Sequence, residues 1–140
     1  MHARADDIVA KATELQGTRY KHVGRTLNGL DCAGLLVYVA KDLGISDFDS
    51  IAYSRRPNVK EFTAAMVSAG CRRLRHSERE HGDILRFSIE GWPVHVGIYE
   101  VDQKGQEWVT HAYLPHKQVT RERLRPELEK AISTVWRFPE

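Results

Sequence analysis

Residues 31–44, which read DCAGLLVYVAKDLG, predict the helix around which the rest of the chain is organised. Apolar side chains recur there at i, i+3, i+4, i+7, i+8 and i+11, the spacing of an amphipathic helix. The positions in this series are Cys32, Leu35, Leu36, Val39, Ala40 and Leu43. Asp31 is a favoured N-cap residue, and Gly44 suits the end of a helix. The stretch therefore predicts a helix over 32–43 with Cys32 in its first turn.

Outward from this helix, the pattern divides the chain into a helical first half and a strand-rich second half. Repeats of 3.6 residues predict further helices at 5–16 and 59–69, and residues 17–30 are interpreted as a loop. After residue 70, short alternating segments separated by Gly, Pro and polar residues predict strands. These strands are 71–75, 83–89, 94–101, 107–114, 117–120 and 133–138, with a short helix at 126–131. Helices followed by strands predict one α+β domain over residues 1–140.

Composition excludes several classes of protein. Of the 140 residues, 41% are hydrophobic and 29% are charged, which is typical of a soluble globular chain and not of a disordered or membrane-spanning one. The net charge of +2 does not favour nucleic acid as a partner. The N-terminal segment has no apolar stretch of the secretory type, so we expect no signal peptide and no membrane insertion. The protein is expected to be made in the cytoplasm, and any action outside the cell would need a non-Sec route.

The position of Cys32 suggests a nucleophile. Free N–H groups and the helix dipole stabilise a thiolate at a helix N-terminus, so we expect Cys32 to ionise below the ordinary thiol pKa of about 8.5. Cys71 follows a glycine that ends a predicted helix and lacks this setting, so we expect it to react slowly if it is buried. Gly34 is expected to leave space for a substrate beside the first turn. The alternative is that Cys32 is a small buried apolar residue, and the adjacent Asp31 carboxylate opposes ionisation.

Two of the seven histidines lie in predicted strands. If the strands around His95 and His111 form a hairpin with Val101 opposite Glu107, then Gly97 lies opposite His111. Both histidines then project from the same face as diagonal neighbours, and Gly97 leaves room for an imidazole ring. A base and a group that orients it are what a cysteine nucleophile needs. The alternative is two unrelated histidines, one buried and one solvated.

Four short motifs together resemble the NlpC family of papain-like cysteine peptidases. They are LDCAGLL at 30–36, GDIL at 82–85, HVGIY at 95–99 and HA at 111–112. The resemblance implies a papain-like α+β fold, in which N-terminal helices pack on a C-terminal antiparallel sheet of about five or six strands. It also implies that Cys32 is the nucleophile, that His95 is the general base and later the acid, and that His111 orients His95.

The resemblance further implies a set of residues for the oxyanion and the substrate. Tyr20 matches an upstream aromatic residue of the family and is expected to help the Cys32 backbone N–H bind the oxyanion. Arg19 or Arg25 is expected to meet substrate carboxylates, with Arg25 taken as the candidate, and Asp31 and Ala33 flank the nucleophile. Ala33 replaces the serine that is common at this position, so one hydroxyl contact is missing. No cofactor is expected, and no close metal-ligand spacing is present.

By this resemblance, the substrate is the peptidoglycan stem peptide, cut between γ-D-glutamate and the diamino acid. The sequences GTRY at 17–20 and DCAG at 31–34 resemble the phage-tail subgroup of the family. Phage tail proteins are therefore expected partners, and delivery on a tail would bring the enzyme to the cell wall. Three alternatives remain open: a secreted toxin-type amidase, an acyltransferase on the same scaffold, and a catalytically inactive wall-binding tail protein.

Overall fold

The computed structural model describes residues 4–49, 58–89 and 92–140. That residues 1–140 form one domain remains a prediction. Within this part of the chain the helices are α1 (Ala5–Glu14), α2 (Cys32–Asp42), α3 (Val59–Ser68) and α4 (Pro126–Ala131). The strands are β1 (Arg25–Thr26), β2 (Gly29–Leu30), β3 (Arg72–Leu74), β4 (Ile84–Ile89), β5 (Trp92–Val101), β6 (Glu107–Tyr113), β7 (Gln118–Arg123) and β8 (Ile132–Arg137). All four predicted helices and all six predicted strands are present, and no end is shifted by more than three residues.

The six longer strands form one antiparallel sheet in the order β3-β8-β4-β5-β6-β7. One face carries α1 and α2, which pack on alternate side chains that include Val96, Ile98 and Ala112. The opposite face carries a second apolar cluster in which Leu128 of α4 packs with Leu85 and other buried residues. The α+β prediction of helices on an antiparallel sheet is confirmed, because period-2 and period-3.6 patterns each bury one face of their element.

The start of α2 is held by a loop that the sequence did not predict in detail. The Asp31 side chain is the N-cap and accepts a hydrogen bond from the Gly34 N–H at 2.7 Å, as expected. The loop also contains the small hairpin of β1 and β2, whose two-residue strands are too short to show any alternation.

Gly34 does not leave room for a substrate, so that expectation is wrong. A Cβ built on Gly34 would lie 1.9 Å from the carbonyl oxygen of Gly24, which is backbone and cannot move aside. The absence of a side chain lets the 17–30 loop approach the helix, and the loop itself fills the space.

A buried ion pair ties the start of β4 to the end of the neighbouring strand β8. Asp83 is fully buried and accepts two hydrogen bonds from Arg137, at 2.8 Å from Nε and 2.9 Å from Nη2. The preceding Gly82 has φ of +91°, a left-handed conformation that glycine adopts without strain. The Gly-Asp pair at 82–83 thus turns the chain into β4 and anchors it to β8.

We expect Asp83→Ala to lower the free energy of unfolding by about 3 kcal/mol or more, because Arg137 would keep a largely buried charge without its bidentate partner. Urea denaturation followed by circular dichroism measures this change. Glu14→Ala is the control, since its carboxylate is 64% exposed in a pair with Lys11 and should matter little. Equal effects of the two substitutions would contradict a stabilising role for the buried pair.

Candidate active site

The N-terminal end of α2 and the middle of β5 border one cavity of about 330 Å³. Cys32 and Ala33 line it from the first turn of the helix, and His95 lines it from the sheet. Tyr20 reaches the same cavity from the loop that precedes α2. The structure therefore gathers around one space residues that lie as much as 75 positions apart in the chain.

Backbone N–H groups surround the sulfur of Cys32. Those of Cys32 and Ala33 belong to the helix N-terminus, and that of Val96 comes from β5; all three lower the pKa of the thiol. Burial raises that pKa more strongly, and the Asp31 carboxylate raises it further, so that the thiol pKa is about 11. At neutral pH the Cys32 side chain is therefore a neutral thiol.

The expectation of a depressed Cys32 pKa is therefore wrong. The amide groups are in place, but desolvation of the charged form and the neighbouring negative charge outweigh them. Burial also raises the pKa of Cys71 to about 11, so ionisation does not distinguish the two cysteines.

The two histidines meet as the hairpin argument predicts. Val101 lies opposite Glu107 and Ile98 opposite Thr110, which is the expected register between β5 and β6. In this register His95 Nε2 lies 2.7 Å from His111 Nδ1, within hydrogen-bond distance. A Cβ at Gly97 would lie 3.0 Å from the His111 Cβ, so a larger residue there would crowd the imidazole.

His95 and His111 belong to a hydrogen-bond chain whose third member, Glu122 of β7, the sequence analysis missed. Its Oε2 lies 2.6 Å from His111 Nε2. His111 is paired with Thr120, and Glu122 lies two residues further along the same face of β7. The available signal was the alternation of the strand, but the predicted strand ended at residue 120 and left Glu122 outside it.

Electrostatics keep both rings neutral. Burial lowers the pKa of His95 well below its ordinary value, and the nearby His111 adds to this effect. Burial also lowers the pKa of His111, against the opposing effect of the Glu122 carboxylate. Hydrogen bonding from His111 is the largest cause that lowers the pKa of Glu122 to about 2. The hydrogen-bond chain thus consists of two neutral imidazoles, those of His95 and His111, and one carboxylate, that of Glu122.

Aromatic side chains hold the imidazoles in place. The Tyr113 ring stacks on His111, with centroids 4.9 Å apart and planes 9° from parallel. Phe87 contacts His95 from the neighbouring strand, with ring centroids 5.8 Å apart. Because His111 is fully buried and stacked on Tyr113, its ring has little freedom to rotate.

Arg25 and Asp31 form an ion pair. Arg25 Nη1 lies 3.2 Å from the Asp31 carboxylate, and Arg25 Nε lies 2.9 Å from Asp49. Asp31 also accepts a hydrogen bond from the Val23 N–H at 2.9 Å. Through these contacts the Arg25 guanidinium neutralises the buried N-cap of α2, and Arg25 also lines the cavity that Cys32 borders. Its expected contact with substrate carboxylates remains a prediction. The substrate roles of Tyr20 and Ala33 remain predictions.

A backbone hydrogen bond places the Cys32 thiol beside the strand segment that carries His95. One of the three backbone N–H groups that donate to the sulfur is that of Val96, the residue after His95. Within the described residues no hydrogen bond joins Cys32 directly to His95. Hydrogen bonds between catalytic groups are often long until substrate binds.

Within residues 4–49, 58–89 and 92–140, no group of three or more His, Cys, Asp or Glu side chains could hold a metal ion. In the same ranges, no helix has both the length and the apolar character needed to cross a membrane.

Comparison with known proteins adds a family and a set of similar folds. The sequence profile of the NlpC/P60 family matches residues 17–137. Among solved structures, the NlpC/p60 domain of the peptidoglycan hydrolase SagA has a TM-score of 0.67 and 23% identity, covering 95% of this chain and 97% of that domain. The peptidoglycan hydrolase RipB of Mycobacterium tuberculosis has a TM-score of 0.65 and 20% identity, covering 100% of this chain and 69% of that one.

Two further structures set limits on the comparison. RipD of M. tuberculosis, described as a non-catalytic NlpC/p60 protein adapted to peptidoglycan binding, has a TM-score of 0.59 and 15% identity, covering 97% of each chain. An NlpC/P60 family protein of Bacillus cereus has a TM-score of 0.69 and 19% identity, but this chain spans only 42% of its length. At these identities the likeness shows a shared papain-like fold. No curated protein matches the chain.

We expect alkylation of Cys32 by iodoacetamide to accelerate as the pH rises toward about 11, because a raised pKa leaves little thiolate at neutral pH. Asp31→Asn should move this profile to lower pH, since it removes a negative charge while an Asn can still cap the helix. The measurement is the alkylation rate against pH in a Cys71→Ser background.

Cys71, measured in a Cys32→Ser background, is the control, because its pKa is raised by burial alone and should not respond to Asp31→Asn. A Cys32 profile that levels off below pH 8.5 would contradict the neutral resting thiol.

Proposed function

Because the chain belongs to the NlpC/P60 family, we propose that it is a cysteine peptidase that hydrolyses peptide bonds of peptidoglycan, with Cys32 as nucleophile. The observation that carries this proposal is the convergence of Cys32 and His95 on one cavity, with His111 within hydrogen-bond distance of His95. In this scheme His95 is the general base and acid, and His111 is the residue that orients it.

Acylation begins from a neutral pair. As the Cys32 sulfur attacks the carbonyl carbon, its proton passes to His95, so that charge develops only during the reaction. The carbonyl oxygen becomes an oxyanion, and the backbone N–H groups of Cys32 and Ala33 at the helix N-terminus are suited to stabilise it. Tyr20 is placed on the wall of the same cavity and is a further candidate for this contact.

The intermediate then collapses. The C–N bond breaks, the amine leaves with the proton held by His95, and a thioester joins the substrate acyl group to Cys32. Water attacks this thioester after giving its proton to His95. The C–S bond breaks, and the proton returns from His95 to the sulfur, which restores the neutral thiol.

The bond and the place of action are finer parts of the proposal. We propose the bond between γ-D-glutamate and the diamino acid of the stem peptide as the site of cleavage. The GTRY and DCAG sequences support delivery on a phage tail or by another non-Sec route, with tail proteins as partners. The identity of neighbouring genes tests this part: tail genes would support it, and an immunity gene would favour a secreted toxin-type amidase.

We expect Cys32→Ala to abolish muropeptide hydrolysis, with a loss of at least about a thousand-fold, because no other group supplies the nucleophile. His95→Ala should have a comparable effect. The assay is digestion of purified muropeptides with product identification by mass spectrometry, and Cys71→Ala is the matched control that should retain activity. A wild-type protein as inactive as Cys32→Ala would contradict the proposal, and transfer of the acyl group to an amine would reassign the protein as an acyltransferase.

A non-catalytic wall-binding function is the second candidate. The similarity to RipD and the neutral resting thiol favour it. It predicts that wild type and Cys32→Ala cosediment equally with purified sacculi while neither releases muropeptides. Turnover by wild type that is lost in Cys32→Ala would exclude it.

A further inference from the structure

We propose that Glu122 is a positioning residue that sets the tautomer of both buried histidines and so leaves Nδ1 of His95 free of a proton. This inference rests on the proposed hydrolase function, in which His95 must accept the proton of Cys32. It adds to that function a residue from β7, outside the motifs that carry the family resemblance.

The first step concerns His111. At 2.6 Å, Oε2 of Glu122 and Nε2 of His111 form a close hydrogen bond. An ionised carboxylate has no proton to donate, so the proton between them lies on His111 Nε2. Because a neutral imidazole carries one N–H, the Nδ1 atom of His111 is left as an acceptor.

The second step transfers this constraint to His95. His111 Nδ1 lies 2.7 Å from His95 Nε2, and an acceptor there requires that His95 donate from Nε2. The single proton of neutral His95 is then on Nε2, and Nδ1 carries the free lone pair. Nδ1 is therefore the nitrogen able to take the thiol proton.

Glu122 is held in the ionised state that this role requires. It contacts the guanidinium of Arg125 in a close ion pair, and its Oε2 lies 3.2 Å from His116 Nε2. With His111, these are the charged and titratable groups that face the carboxylate, and together they lower its pKa to about 2. At neutral pH the carboxylate thus remains an acceptor.

Without Glu122 the hydrogen-bond chain can reverse. His111 could then carry its proton on Nδ1 and donate to His95 Nε2, which would place the His95 proton on Nδ1. That tautomer cannot accept a proton from Cys32 at Nδ1. The carboxylate selects one of two otherwise similar arrangements of the same two rings.

The direct test is the tautomer itself, read from 15N NMR of the imidazole nitrogens in the full-length protein without substrate. We expect wild type to show His95 and His111 protonated on Nε2. Glu122→Ala should give a mixture with protonated Nδ1 on both rings, and Glu122→Gln should restore the wild-type pattern, because its amide oxygen can still accept from His111. Glu127→Ala is the matched control, since Glu127 also pairs with Arg125, at 3.1 Å, on the exposed surface.

Kinetics supply the second readout. In Glu122→Ala we expect kcat for muropeptide hydrolysis to fall about 10- to 100-fold with little change in KM, and Glu122→Gln should recover most of the loss. If Glu122→Ala does not fold, Glu122→Asp withdraws the carboxylate by one methylene and should give the same mixed tautomers.

Wild-type tautomers in the Ala and Asp variants would overturn the inference, as would a change confined to KM. The NMR result does not depend on activity. Tautomers that shift as expected in a protein without hydrolase activity would therefore refute the proposed function and leave the positioning by Glu122 standing.

Discussion

The antiparallel register between β5 and β6 is the constraint on which the rest of the site depends. With Val101 opposite Glu107, His95 and His111 share one face and come within hydrogen-bond distance. A slip of one residue would send the two side chains to opposite faces of the sheet. Gly97 belongs to the same constraint, because a Cβ there would lie 2.6 Å from Val109 Cγ2 and 3.0 Å from His111 Cβ, so a larger residue would push on the strand that carries His111.

The burial that fixes the side chains of the site also disfavours their charged forms. Burial favours the neutral forms of Cys32, His95 and His111. The ionised group, Glu122, hydrogen-bonds to His111 and lies beside Arg125. An arrangement of this kind avoids a thiolate in the resting protein and depends on proton transfer during attack. Such a site requires the imidazole nitrogen that faces the thiol to be the unprotonated one, which gives the orientation of the hydrogen-bond chain its chemical importance.

Asp31 has two effects that oppose each other. Its carboxylate caps α2 and receives the Val23 N–H and the Arg25 guanidinium, so it holds the 17–30 loop against the helix. The same negative charge raises the pKa of the adjacent Cys32. The contact with Gly34, whose space is filled by the Gly24 carbonyl, shows how closely the loop is packed. The local structure that places the nucleophile thus also works against its ionisation.

The sequence alone determined the four helices, the six longer strands and the pairing of the two histidines, because periodicity, capping residues and strand alternation are local properties. The helix that begins at Cys32, its Asp31 cap and the β5–β6 register all follow from residues within one or two elements. Only the tertiary structure decided the ionisation of Cys32 and the partner of His111. The thiol pKa depends on burial and on a β5 amide far away in the chain, and Glu122 reaches His111 from a third strand. The thiol pKa is a sum over groups that are close in space and distant in sequence, which no local pattern encodes. The partner of His111 depended on the length of β7, since Glu122 lies beyond the predicted end of that strand at residue 120.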